Sequence, residues 1–376
     1  MRVLVAFDKF KDALTAPAAC ATAAEALRAA HPDWRVDLCP LADGGDGFAG
    51  VLAQAAGGEL HRTTVTGPRG APVEATFGVA QVPAAVRERV GGARRVALVE
   101  MAQASGLALL RPDERDPWLT TSRGTGELIR AAAALGVDGI LLGVGGSATH
   151  DVGLGALSVL GLECREVDGR AVASPVPQTW AAVAGIVGRF DPALPPITVA
   201  CDVTNPLMGT YGAAAVFAPQ KGLREEDFTR LEYMTGRMAA LLTTLAGKPP
   251  LLCETPGAGA AGGLAFGLLC AADARLAPGA ELVSRWLDLD ARLAAADLVI
   301  TGEGRFDESS LGGKGPGELA RRAVAAGKRV HVFAGAVSGG LAGAELHAIT
   351  PAGQPLAEAL RNAEHNLLRA VRIAFV

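Results

Sequence analysis

No pair of cysteines in this chain is spaced Cys-x-x-Cys. The six lie at 20, 39, 164, 201, 253 and 270 of 376 residues. Neither a zinc site nor a dense disulfide framework is expected, and a reducing compartment, the cytoplasm, is. Basic runs and basic segments studded with aromatics are also missing, the formal net charge is −4, and no nucleic-acid partner is expected. Charge blocks are absent too: Arg-Glu-Glu-Asp at 224–227 is short and reads as a solvated helix start. Gly, Pro or charge interrupts every apolar stretch well before the ~18 residues a membrane helix needs. Val-Leu-Val-Ala-Phe after Met1-Arg2 is shorter than a signal-peptide apolar region. No repeat of fixed period is visible.

Several catalytic signatures are missing as well. Gly-Lys occurs at 247–248, 313–314 and 327–328, never with a glycine five residues earlier or Ser/Thr next, so no P-loop exists. Gly-x-Ser-x-Gly is absent, which removes the α/β-hydrolase nucleophile elbow. The histidines (31, 61, 150, 331, 347, 365) form no ligand-spaced pair in sequence. His150 alone stands in a loop suited to a site, and a turn residue near solvent is its plainer reading. Gly143-x-Gly145-x-x-Ala148 and Gly257-x-Gly259-x-x-Gly262 resemble dinucleotide fingerprints. Neither lies in a first βα unit, and both read as loops for phosphate approach or close packing.

What is present in excess is glycine, 48 residues against an average share of about 7%. The glycines cluster in tight loops between short apolar runs. Arg2–Phe7, Arg35–Pro40, Arg95–Glu100, Gly139–Val144, Ile197–Asp202, Leu298–Thr301 and Val330–Ala334 read as buried strands of a parallel sheet. Helical patterns at Ala16–Ala30, Gly126–Leu135, Asp227–Leu245 and Gly317–Ala326 alternate with them, and Thr15 looks like an N-cap. Leu60–Gln81, with alternating Thr/Val and a Gly-Pro-Arg-Gly turn at 67–70, reads as a hairpin. The expected organisation is a discontinuous α/β domain, 1–64 with 288–376, and an inserted mixed-sheet α/β domain, 65–287.

Ligands of parallel sheets sit beyond the carboxyl ends of strands. Five expected strand ends carry carboxylates: Asp8-Lys9-Phe10-Lys11, Ala42-Asp43-Gly44-Gly45-Asp46-Gly47, Gly145-Gly146-Ser147-Ala148-Thr149-His150-Asp151, Asp202-Val203-Thr204-Asn205 and Gly302-Glu303-Gly304-Arg305-Phe306-Asp307. Asp46 and Glu127 read as structural caps. The rest is the inventory of phosphoryl transfer: carboxylates for Mg²⁺, cations and N–H groups for phosphate, and an Asp to take a hydroxyl proton.

These segments, in this order, resemble the type I glycerate kinase family from Asp8 to Lys314. Further matching runs are Thr121-Ser122-Arg123-Gly124-Thr125-Gly126-Glu127-Leu128, Pro219-Gln220-Lys221-Gly222 and Pro256-Gly257-Ala258-Gly259-Ala260-Ala261-Gly262-Gly263. The resemblance implies ATP- and Mg²⁺-dependent phosphorylation of D-glycerate, with 2-phosphoglycerate favoured. It also implies a flavodoxin-like domain built from both chain ends, a second α/β domain, and an active site in the cleft between them. Within that frame Asp202, Asp307 and Lys314 are the catalytic candidates, Asp202 being first choice as base. Lys11, Asp8, Asp43 and Arg305 are the substrate candidates. Gly145, Gly146, Ser147, Thr149, Gly257, Gly259 and Gly262 would meet the nucleotide, and Asp43 and Asp202 the metal. Lys9, Arg123, His150, Ala218 and Ser309 depart from the family pattern. An NAD-linked hydroxy-acid dehydrogenase and a non-enzymatic nucleotide or acid sensor are the rival readings.

Overall fold

The structure is a computed structural model that describes residues 1–42, 44–312 and 315–375. In chain order its strands are β1 (Arg2–Phe7), β2 (Arg35–Leu38), β3 (Glu59–Thr66), β4 (Pro72–Gln81), β5 (Arg95–Glu100), β6 (Gly139–Gly143), β7 (Leu162–Arg165), β8 (Gly185–Gly188), β9 (Ile197–Ala200), β10 (Arg275–Ala277), β11 (Leu298–Phe306), β12 (Arg329–Val337) and β13 (Glu345–Ala348). They divide between two compact units, Met1–Asp43 with Val283–Val376, and Gly44–Leu282.

The first unit holds a sheet ordered β13-β12-β11-β1-β2, every neighbouring pair parallel. This is the flavodoxin order, and its switch point lies between β1 and β11. Val3, Val5 and Phe7 of β1 and Leu298 and Ile300 of β11 pack against Cys20, Leu27, Leu367 and Val371 from the flanking helices. Each such side chain contributes roughly 1.5–3 kcal/mol by leaving water. The helix Ala16–Ala30 starts where expected: Thr15 Oγ1 accepts from the Ala18 N–H at 3.3 Å, with Pro17 in the first turn.

The second unit holds a mixed sheet ordered β10-β9-β6-β5-β4-β3. Its β5, β6, β9 and β10 are parallel; β3 and β4 are antiparallel, joined by the turn at 67–70. Strands β7 and β8 form a separate ribbon. Residues 44–64, expected with the first domain, fall in this unit. The reason is local: β3 pairs with β4 along its whole length, and the helix Phe48–Ala55 packs on β4 and β5. The second division, expected at 287/288, falls at 282/283, inside the helix Gly279–Trp286.

Candidate functional site

At the switch point of the first unit, the loop after β1 and the far end of β11 border a cavity of about 930 Å³. Asp8, Lys11 and Arg305, three of the expected substrate residues, all line it, together with Lys9 and Glu303. The apolar Ile349, Leu356 and Leu360 also line the cavity wall. The Asp8 carboxylate accepts from the Lys9 N–H at 2.6 Å, which fixes the turn leaving β1. Arg305 Nε lies 3.1 Å from Asp307 Oδ2, so this candidate base is an ion-pair partner of a candidate substrate ligand. Asp43 and Lys314 lie outside the described residues.

In the second unit the parallel strands bring a different set of loops to one edge. The Glu100 carboxylate, buried at the end of β5, accepts from the Gly47 N–H at 3.0 Å and the Ala49 N–H at 2.6 Å. It thereby holds Gly47 and the start of the helix that follows; burial raises its pKa. The Gly145 N–H donates to the Gly44 carbonyl at 3.3 Å, and a Cβ on Gly145 would stand 2.6 Å from Gly45 Cα. Only glycine permits that approach of the two loops.

The loop after β6 is anchored along its length. Gly146 O accepts from the Leu107 N–H at 2.8 Å, and the Ala148 N–H donates to Ser105 O at 2.9 Å. Asp151 is buried and its carboxylate accepts from the Ser122 N–H and O–H, both at 2.7 Å, and from the Gly153 and Gly155 N–H groups, both at 3.1 Å. Burial raises its pKa, against these hydrogen bonds. Lys221, 1% exposed, donates from Nζ to Ser147 Oγ at 2.9 Å and to Thr149 O at 2.7 Å. Burial pushes its pKa down to about 7, with Asp151 opposing. Sequence motifs alone assign no role to Glu100 or Lys221. The signal for Lys221 was a lysine flanked by Pro-Gln and Gly, and only its burial turns that into a site feature.

Gly257, Gly259 and Gly262, expected to meet the nucleotide, are buried and pack backbone against backbone. The Gly259 N–H donates to Asn205 O at 3.0 Å; Gly262 has φ +63°, and its Cβ would lie 2.1 Å from Thr149 O. Thr149 is itself buried, its hydroxyl on Ala261 O at 3.4 Å. Asp202, at the end of β9, has both oxygens 3.1 Å from the Ala280 N–H, capping the helix Gly279–Trp286 from another segment. Glu127 is the structural case expected, accepting from the Thr66 N–H at 2.7 Å and pairing with Arg123 at 3.0 Å.

His150 is fully buried, not a turn residue near solvent, with Nε2 3.0 Å from Thr235 Oγ1. Burial and the nearby Lys221 hold its pKa down, to about 3. In the unfolded chain it titrates near 6.5. The unfolded state therefore binds the extra proton between those values, and stability falls as pH drops through that window. The expected result for His150→Asn is a shallower loss of melting temperature from pH 6.5 to 4; a parallel loss in both proteins would remove His150 from acid sensitivity.

Sequence spacing gave no histidine pair, but the pairing of β12 with β13 makes one. Among the described residues, His331, Glu345 and His347 form the group of potential metal ligands. His331 Nδ1 is 3.1 Å from His347 Nε2, in rings 2° from parallel with centroids 5.3 Å apart. That places the two nitrogens head to head on the line of centres, the arrangement of an N–H···N hydrogen bond and not of lone pairs converging on an ion.

The glycerate kinase family model matches residues 3–375. The chain belongs to the glycerate kinase family. It is 39% identical to a glycerate kinase of Haemophilus influenzae (strain ATCC 51907 / DSM 11121 / KW20 / Rd) over 337 residues, 89% of this chain and 86% of the other. It is 35% identical to the glycerate 2-kinase of Escherichia coli (strain K12) over 380 residues, 99% and 96% of the two chains. A crystal structure described as a glycerate kinase 2 of Salmonella typhimurium LT2 superimposes with a TM-score of 0.77 at 37% identity. It covers 100% of this chain and 97% of that one. Family membership makes the protein a kinase, and it accounts for the resemblance of the glycine-rich loops. The comparisons give no support to a dehydrogenase or a sensor.

Proposed function

We propose that this member of the glycerate kinase family transfers the γ-phosphoryl group of Mg-ATP to the 2-hydroxyl of D-glycerate, in the cytoplasm. The single observation that carries the residue-level reading is the switch-point cavity, which Asp8, Lys11 and Arg305 all line at the sheet edge that open α/β folds use for ligands. The 2-position is supported by the name of the Escherichia coli relative.

Lys11 and Arg305 hold the acid's carboxylate, Arg305 by a planar fork and Lys11 by a point charge. Asp8 receives the hydroxyl groups. Gly146 and Ser147, on the partly open loop after β6, meet the phosphates. Lys314 and Asp43 keep their expected roles toward the γ-phosphate and the metal. Asp202 is the base: an ionised carboxylate accepts the hydroxyl proton as the new O–P bond forms. The hard oxygens of the Asp202 carboxylate suit Mg²⁺. Bound there, the ion would neutralise phosphate charge.

ADP release with Mg-ATP and D-glycerate, against L-glycerate and no acceptor, tests the activity, and phosphorus NMR of the product reads the position. Release independent of D-glycerate would overturn the substrate, and a 3-phosphate product the regiochemistry.

One observation favours a second assignment of the cavity. Its volume is several times that of glycerate, and the Ile349–Leu356–Leu360 wall suits an adenine ring better than a hydroxy acid. Arg305→Gln separates the two. Loss of a charge-assisted hydrogen bond costs ~1.5–3 kcal/mol, about tenfold or more in KM. The expected rise is in KM for glycerate; a rise confined to KM for ATP would assign the cavity to the nucleotide.

A further inference from the structure

Lys221 is one of the buried titratable groups that the proposed transfer does not use. Its side chain is 1% exposed, and both partners of Nζ are neutral: the Ser147 hydroxyl at 2.9 Å and the Thr149 carbonyl at 2.7 Å. A buried ammonium facing only neutral acceptors is poorly compensated, and the free amine suits the site better. A free amine keeps an N–H for the Thr149 carbonyl and turns its lone pair to Ser147 O–H. The two titratable groups beside it lie on the same loop: Asp151, which raises its pKa, and His150, neutral and bonded to Thr235. Burial is the larger influence and leaves the pKa at about 7, so the amine is available at neutral pH. Ser147 sits beside the exposed Gly146 and is itself half-buried, whereas Lys221 is buried.

We propose that Ser147 and Lys221 form a serine–lysine pair in which Lys221 takes the hydroxyl proton and Ser147 Oγ accepts a phosphoryl group. A serine is a weak nucleophile until an adjacent base withdraws its proton, and the contact supplies that base. The Ser147 proton passes to Lys221 Nζ, and Oγ attacks the γ-phosphorus of ATP. The new O–P bond forms as the bond to the β–γ bridging oxygen breaks. ADP leaves with that electron pair, and Lys221 is left as an ammonium. The inference rests on the reading that the Gly145–Thr149 loop meets nucleotide phosphates, and the test separates the two.

The full-length protein is treated with a fluorophosphonate, a phosphoryl electrophile that needs no nucleotide site, and in parallel with Mg-ATP without glycerate. Intact mass and peptide mapping locate any adduct. Expected with the fluorophosphonate is one adduct on Ser147 whose rate rises with pH through about 7. Ser147→Ala should lose it, and Lys221→Met should slow it by on the order of 10²-fold or more. Circular dichroism and melting confirm that each variant is folded. No adduct on the wild-type Ser147, or one unaffected by Lys221→Met, overturns the pair. Expected with Mg-ATP is phosphoserine at 147. Labelling by the fluorophosphonate without phosphorylation by Mg-ATP keeps the nucleophile and base and overturns ATP as the donor, locating the failure in the nucleotide reading.

Discussion

Asp202→Asn is expected to fold like the wild type and to lose on the order of 10²–10⁴ in kcat, the usual worth of a positioned base. The cap contact of Asp202 can outlast this substitution. Both Asp202 oxygens lie 3.1 Å from the Ala280 N–H, and Asn keeps one oxygen for that contact. The cap therefore survives while the negative charge goes. Asp202→Ala, by contrast, removes the cap as well and should cost about 1 kcal/mol of stability, so its lost turnover would be ambiguous. Thermal melting of both variants beside the wild type, with kcat from the ADP-release assay, checks the pair. Wild-type turnover in Asp202→Asn would leave Asp202 as a helix cap only and pass the role of base to another group. Asp307, held 3.1 Å from Arg305, would then be first in line.

Lys221→Met is expected to change the pH dependence of stability with a definite sign. In the native state burial holds the Lys221 pKa near 7, against an ordinary value of 10.5. Between those values the unfolded chain binds a proton that the folded chain does not, so wild-type stability rises with pH across that window. Methionine abolishes the linkage. The stability of the wild type relative to Lys221→Met should increase by up to ~1.4 kcal/mol per pH unit from about pH 7 toward 10. Urea unfolding at several pH values measures it. A difference that is flat, or that falls as pH rises, would mean that Lys221 keeps its proton in the folded protein, and the amine would not be available to Ser147.

Much of the architecture was readable in the chain. The β1, β5 and β6 runs are apolar on both faces, as a covered parallel strand must be, and the helix Ala16–Ala30 announces itself by Thr15 and Pro17. The carboxylates at strand ends were equally visible, because strand direction alone decides which end of each run carries the loop. The extent of the first unit was less so. Residues 44–64 look like a continuation of its alternation, and only the pairing of β3 with β4 assigns them elsewhere.

The sequence by itself determined the family, the α/β class and the set of polar residues available for phosphoryl transfer. It did so through local signals, namely burial period, cap chemistry and collinear motifs. The tertiary structure alone decided what each polar residue touches. Lys221 meets Ser147 across 74 residues of chain, Asp202 meets Ala280 across 78, and His331 finds His347 through the register of two parallel strands. Those contacts set which groups are buried and which are capped. They depend on long-range packing, and no local pattern in a single chain encodes it.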